Sequence, residues 1–386
     1  MPAYDVIVLG LGAMGSAAAY QLAARGRRVL GLERFTPAHD RGSSHGQTRI
    51  IREAYAEDPA YVPLVQHAYE LWRSLERESG ADLLQITGGL MLGQPDVPFI
   101  LGAIRSAQQH QLPHEILSAA EIRRRFPVFA PQDDEIGVLE PRAGFLRPEA
   151  CVRAHLDLAA RRGAELHFEE PATAWRVDGN GVTVETARGR YHAERLIITA
   201  GPWAGALIRE LAPHLRVERL PVFWFQPREA AAAWEPERMP IWIWERRDSP
   251  ILYGFPRVDG LVKTAIHHTR DWTAPDAINR AVGADEIAAF RQLIARFLPG
   301  LDVPPARTGV CMYTNSPDEH FIIDRHPSHP QVAVAAGFSG HGFKFSSVVG
   351  ELLADLIDES RGAVPLDLFR WERLTHAGED ATHAHP

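Results

Sequence analysis

The segment YDVIVLGLGAMGSAAAYQLAARGRRVLGLERF, residues 4–35, constrains the fold of this chain more than any other stretch. DVIVLG is an apolar run of strand length, AMGSAAAYQLAARG has helical spacing and ends on a glycine, and RVLGLE reads as a second strand closed by an acid. Gly10, Gly12 and Gly15 then form G-x-G-x-x-G at a strand-to-helix turn. The first glycine permits the tight turn, the second lets a pyrophosphate approach the backbone, and the third lets helix and strand pack closely. The helix N-terminus presents unpaired N–H groups and a positive dipole end to phosphates. Glu33 follows Gly15 by 18 residues, where a carboxylate accepts hydrogen bonds from ribose hydroxyls and disfavours a 2′-phosphate. The pattern predicts a dinucleotide-binding βαβ unit and disfavours NADP. The plainer alternative is a tight turn without a ligand.

Whether the dinucleotide is NAD or FAD depends on the rest of the chain. ARGRYHAERLIITAGPWAGAL contains a strand, Arg195–Thr199, followed by AGPWAG opening a helix. A strand followed by such a small-residue turn recurs in flavoproteins. CVRAHLDLAARRGAELHF reads as a further helix–strand unit, and QVAVAAG with FKFSSVVGELLADLID as a strand and a helix. Three separated pieces therefore build one Rossmann domain, with strand-rich stretches at about 85–140 and 215–308 between them. A chain of 386 residues is long for one core. The net charge of −8 and the lack of a basic tract argue against nucleic acid. Cys151 and Cys311 are the only cysteines, which excludes a disulfide framework and fits a reducing cytoplasm. No apolar run is long enough to span a membrane and no metal site is indicated. The His-rich end THAGEDATHAHP reads as a frayed tail.

The chain's 41 basic residues include only two lysines, leaving 39 arginines. Lys263 lies in DGLVKTAIHH and Lys344 in GFSGHGFKFSS, both apolar, glycine-rich settings. An ammonium is costly to bury there without compensation, so the two exceptions invite a functional reading.

Four segments together carry a resemblance that spans Asp5 to about Phe369. They are the N-terminal fingerprint, GSSHGQTRIIREAY (42–55), GVCMYTNSPDEHFIID (309–324) and GFSGHGFKFSS (337–347). The chain resembles the sarcosine oxidase family, FAD-dependent amine oxidases that include N-methyltryptophan oxidase. The resemblance implies an α/β fold with a glutathione-reductase-type FAD domain and a substrate domain on a mixed β-sheet. The expected division is 1–84, 141–214 and 309–386 for FAD, and 85–140 and 215–308 for substrate. It also implies that Cys311 bonds covalently to the flavin 8α-methyl and that Lys263 stands near flavin N5, where oxygen is activated. Arg52 and Lys344 match a pair gripping the substrate carboxylate, Arg49 an arginine beside the flavin ring, and His267 and Tyr253 pocket residues. Two departures stand out. Ser44 and Gln47 replace a histidine and an aspartate of the family motif, and the strand PIWIWERRDSPILYGFP carries Trp242 and Trp244.

The same residues make chemical sense. Arg52 offers a planar fork and Lys344 a point charge, a pair suited to fixing a carboxylate and hence the reacting C–H. The glycines near Lys344, Gly340 among them, would aim N–H groups at the flavin. Lys263 would stabilise superoxide formed from O₂. If its segment is a strand, His267 shares its face and His268 points away. Trp242 and Trp244 would line a large aromatic pocket or pack the sheet. The leading reading is a monomeric cytoplasmic oxidase that converts an N-methyl amino acid and O₂ into amino acid, formaldehyde and H₂O₂. The alternatives are a cyclic or bulkier substrate such as pipecolate, a dehydrogenase with another electron acceptor, and a non-catalytic flavin- or dinucleotide-binding sensor.

Overall fold

The computed structural model describes residues 4–228, 231–360 and 365–374; THAGEDATHAHP lies outside the described residues. The first strand, Tyr4–Leu9, is buried on both faces. Val6 and Val8 pack with the helix Ala13–Ala24, and Ile7 and Leu9 pack into a second cluster beyond the sheet. Burial on both sides explains why its sequence runs apolar without alternating. It pairs in parallel with Val29–Leu32 on one side and Gly189–Ile198 on the other. Glu165–His167 and His329–Ala336 extend the parallel set outward, and three antiparallel strands complete an eight-stranded sheet. The helix Ser346–Asp358 lies against Ala13–Ala24, where a Cβ on Gly350 would come within 2.5 Å of the Ala17 carbonyl carbon.

One expected helix is cut short. The segment after residue 199 forms a 3₁₀ turn, Gly201–Trp203, and a single α-turn, Ala204–Leu207. Ile208 leaves in an extended conformation to be buried in the core, and the Leu207 carbonyl accepts a hydrogen bond from Trp175 Nε1 (2.7 Å).

A mixed sheet of nine strands draws on residues 89–93, 115–118, 136–140, 216–225, 241–246, 249–258, 261–266 and 272–273, with Arg307–Asn315 added along Arg216–Phe225. That last pairing places the Cys311 strand in this sheet, whereas sequence reading put residues from 309 onward with the FAD-binding pieces. Nine paired positions join the two strands. A small third sheet joins Arg49–Ile51 and Leu84–Ile86 to Gly144–Leu146, and so fixes the backbone around Arg49 and Arg52. Among the described residues, no helix is long and apolar enough to cross a membrane, and no His, Cys, Asp or Glu cluster is arranged for a metal ion.

Candidate active site

A cleft of about 480 Å³ opens where the parallel strands end, lined by Gly10, Gly12, Glu33, Thr199 and the 337–343 turn. Gly10 sits at φ +86°, and a Cβ there would lie 2.7 Å from the Thr199 carbonyl oxygen. A Cβ on Gly15 would fall 1.8 Å from the Gly10 carbonyl oxygen, so helix and turn meet only because it is absent. Gly12 instead faces open space, with Ser44 Oγ 3.5 Å from where its Cβ would be. Ser44 accepts a hydrogen bond from the Ala13 N–H (3.2 Å), the first amide of the helix. The Glu33 carboxylate accepts from the Leu11 (2.7 Å) and Phe35 (3.0 Å) N–H groups, which holds it at the rim of the cleft.

A second cavity, of about 580 Å³, shares Ala38, Arg49, Tyr313, Gly340 and Phe343 with the first as a common wall. It brings together Arg49, Arg52, Tyr253, Lys263, His267, Cys311, Gly340 and Lys344, residues scattered over almost three hundred positions of the sequence. Gly340 adopts φ +81° against the Tyr313 ring, 2.3 Å from where its Cβ would be. This glycine cannot be replaced without moving that ring.

Arg49 donates to the Thr48 carbonyl (2.9 Å) and the Ser43 carbonyl (2.8 Å) and reaches Cys311 Sγ at 3.3 Å. Burial opposes ionisation of the Cys311 thiol, but Arg49 and then His45 outweigh it and bring the thiol down to about 6. Cys151 has the contrary setting: full burial pushes its thiol well up. The Lys263 ammonium donates to the carbonyls of Gly46 (2.8 Å) and Thr48 (2.7 Å) and faces the ring of Phe255 at 4.9 Å. Desolvation, then Arg49, holds it well below the usual lysine range.

Arg52 is buried, donates to the Ala54 carbonyl (2.8 Å) and to Glu57 (2.5 Å), and keeps its Nε without a partner. Lys344 donates to the His341 carbonyl (2.6 Å) and contacts Tyr55 Oη at 3.4 Å. Desolvation and the neighbouring Arg52 bring Lys344 down to about 7. Tyr55 Oη pairs with His341 Nδ1 at 2.5 Å, while His341 Nε2 meets the Glu319 carbonyl at 3.0 Å. The carbonyl requires Nε2 to carry the proton, so Nδ1 accepts from the tyrosine. His267 follows the end of the strand Leu261–Ile266 yet still shares the cavity with Lys263. His268 turns away at φ +70° to meet the fully buried Glu218 at 3.0 Å.

Trp242 and Trp244 do not line the cavity. Both are fully buried with Phe129 and Phe297 on the other face of the sheet, and Ile243 between them faces the cavity with Tyr253. Trp242 lies over Gly254, its cross-strand partner, where a Cβ would come within 2.5 Å of the indole. The two tryptophans therefore pack the sheet, and an aromatic pocket built from them is excluded. Sequence reading missed Glu57, Glu149, Glu218 and Tyr313. Tyr313, two residues beyond Cys311 on one strand, was the one a period-2 rule could have found.

The cradle fits a dinucleotide with a reactive ring at one end. Glycines clear the pyrophosphate path, and the cleft runs into a chamber where cations, a lowered thiol and the orphaned His45 Nε2 converge. Comparison with known proteins agrees. Residues 5–356 match the family described as FAD dependent oxidoreductase. Monomeric sarcosine oxidase of Streptomyces avermitilis is 50% identical over 380 residues, covering 97% of this chain and 99% of that protein. N-methyl-L-tryptophan oxidase of Citrobacter koseri is 38% identical over 378 residues, covering 96% and 99%. Among solved structures, NikD, described as an unusual amino acid oxidase essential for nikkomycin biosynthesis, superposes in its open form with a TM-score of 0.82 at 27% identity, covering 95% and 97%.

Proposed function

This chain belongs to the family of FAD dependent oxidoreductases that includes monomeric sarcosine oxidase and N-methyl-L-tryptophan oxidase, and from that premise we propose that it is an oxidase of N-methyl amino acids. One observation carries the reading: Arg52 and Lys344 enter the same cavity as Arg49, Lys263 and Cys311, directly beside the dinucleotide cleft. When bound, FAD supplies a two-electron acceptor that takes hydride from the methyl carbon beside nitrogen and yields H₂O₂ with O₂, while water splits the iminium into amino acid and formaldehyde. Arg52 and Lys344 fix the substrate carboxylate, and with it the C–H to be broken. Because Arg52 is held by Glu57, the substrate carboxylate must compete with that side chain for the guanidinium. His267, kept neutral by burial and by the neighbouring His268, suits a pocket that binds an amine as its free base. Lys263, although burial and then Arg49 lower it, stands where O₂ gains electrons and would take up a proton as negative charge develops beside it.

The Cys311 thiol is the attachment point for the flavin 8α-methyl. Its lowered ionisation, set by Arg49 and His45 against burial, would suit that thiol to hold the flavin covalently. The eight-stranded sheet forms the FAD-binding part and the nine-stranded sheet the substrate part, with Arg307–Asn315 serving both. We place the enzyme in the cytoplasm as a monomer, in keeping with its two unpaired cysteines.

The test is an anaerobic titration of the purified yellow protein with sarcosine, N-methyltryptophan, pipecolate and methylamine. Flavin bleaching by an N-methyl amino acid but not by methylamine is the expected result. Bleaching by pipecolate alone would move the reading to cyclic substrates, and no bleaching by any secondary amino acid would overturn it.

A further inference from the structure

The turn that holds Lys263 is itself held from its other side. Gly46 and Gln47 adopt φ +96° and +74°, two successive left-handed residues. Their N–H groups converge on one carboxylate: Glu149 accepts from the Gly46 N–H at 2.6 Å and from the Gln47 N–H at 3.2 Å. Successive amides in such a conformation form a concave anion site. The carbonyls of Gly46 and Thr48 are the two that receive the Lys263 ammonium. One three-residue turn thus presents N–H groups to an anion and C=O groups to a cation.

The Gln47 side chain locks the same turn. Its Nε2 donates to Asp259 (2.6 Å), and its Oε1 accepts from Trp224 Nε1 (3.0 Å) and Arg307 (3.3 Å). The amide donates and accepts at once, whereas an aspartate here would face Asp259 with a second carboxylate. Glu149 is placed by its position in the first turn of the helix Pro148–Arg161, where the dipole favours negative charge.

We infer that Glu149 is a positioning residue for Lys263: through the Gly46–Thr48 turn it fixes the two carbonyls that hold the amine and aim it into the cavity. The inference rests on the oxidase reading for its kinetic consequence, but not on which amine is oxidised. Burial opposes the charge of Lys263 most strongly, and nearby groups act on it in both directions. Glu149 and Cys311 favour its charge, and Arg49 and Arg307 oppose it. Glu149 is the carboxylate among them and is held below the usual carboxylate range, since the turn's N–H groups and Arg49 outweigh its burial. Its removal leaves Cys311 alone to favour the charge of Lys263 against burial and two arginines.

With only two lysines in the chain, ¹⁵N-lysine labelling of the holoenzyme gives two side-chain amine signals, assigned with Lys263→Met and Lys344→Met. Glu149→Gln is expected to lower the titration midpoint of the Lys263 signal by about one pH unit or more and to leave the Lys344 signal in place. Reoxidation of the reduced enzyme by O₂ should slow about tenfold, with anaerobic reduction changed less than about twofold. In the Lys263→Met background, Glu149→Gln should change reoxidation by less than about twofold. Gln47→Ala loosens the same turn without touching Glu149 and should move the Lys263 midpoint in the same direction; it carries the test if Glu149→Gln does not fold. An unmoved Lys263 midpoint in the folded variants overturns the inference. So does a loss shared by both half-reactions that persists in the Lys263→Met background. Amine signals that behave as expected in an enzyme that no secondary amine reduces would leave the positioning intact and refute the oxidase reading instead.

Discussion

The cavity has two cationic corners, each made of one arginine and one lysine, and they are built differently. At the first, Arg49 and Lys263 both rest on carbonyls of residues 43–48, and Thr48 O accepts from both. The nearest soft anion is the Cys311 thiol. At the second, Arg52 is paired with a carboxylate, Glu57, and Lys344 is held by the His341 carbonyl and a tyrosine hydroxyl. On the proposed function, the first corner would offer Arg49, and Lys263 once protonated, to a group that becomes an anion during reaction. The second offers charge already matched to a carboxylate, so an incoming carboxylate replaces like with like. Fixed charge suits electron transfer to oxygen, and exchangeable pairing suits binding.

The sharpest way to break this contrast is the cysteine. Cys311→Ser should release all flavin on acid precipitation, and Cys151→Ser, whose thiol is buried and pushed well up, should release none; free flavin from the fully loaded parent protein would refute the attachment. The two lysines come next. Lys263→Met should slow reoxidation by O₂ about a hundred- to a thousandfold and leave anaerobic reduction within about threefold. Lys344→Met should weaken binding of a simple carboxylic acid about ten- to a hundredfold with reoxidation largely retained. Stopped-flow measurement of each half-reaction decides, and equal losses in both from either variant would erase the distinction between the corners.

The smallest expected effect is on stability. Lys344 stands at about 7 in the folded chain against 10.5 as a free side chain. Between those values the unfolded chain binds the extra proton, so this residue's contribution to stability rises with pH from about 7 to 10.5. Below that window the buried ammonium opposes folding in full. Lys344→Met should therefore raise the melting temperature at pH 7, by an amount on the order of 1–3 °C, and the gain should shrink by pH 10. A gain that grows with pH would show that Lys344 is stabilised in its charged form.

How much of this was readable from sequence differs between the corners. The glycine fingerprint was legible because each glycine answers to a local constraint: a positive φ at Gly10 and a forbidden Cβ at Gly15. The strand that carries Lys263 was legible too, and with it the divergence of His267 and His268, although His267 lies just past the strand's end. Glu57 and Glu149 were not. Each matters through a partner whose proximity depends on tertiary packing, and an isolated glutamate in a sequence carries no sign of it. Trp242 and Trp244 show the opposite failure. Their period-2 alternation was plain, but which face of the sheet looks toward the cavity was set by long-range pairing with residues 89–93 and 249–258. The pairing of the strand Arg307–Asn315 was hidden for the same reason. Its partner, Arg216–Phe225, is distant in sequence.

The order of strands in the parallel sheet bears on how the chain comes together in time. Tyr4–Leu9 is flanked by Val29–Leu32, close in sequence, and by Gly189–Ile198, which in turn waits for His329–Ala336. Pairings between such distant segments must close long loops before any contact rewards them, which slows folding and leaves strand edges exposed meanwhile. A ribosome therefore delivers the nucleotide fingerprint long before the strand that completes its neighbourhood. The nascent protein carries an unfinished sheet edge through most of its synthesis. Nucleotide met before residues 337–343 are made would find only part of the cleft that those residues complete.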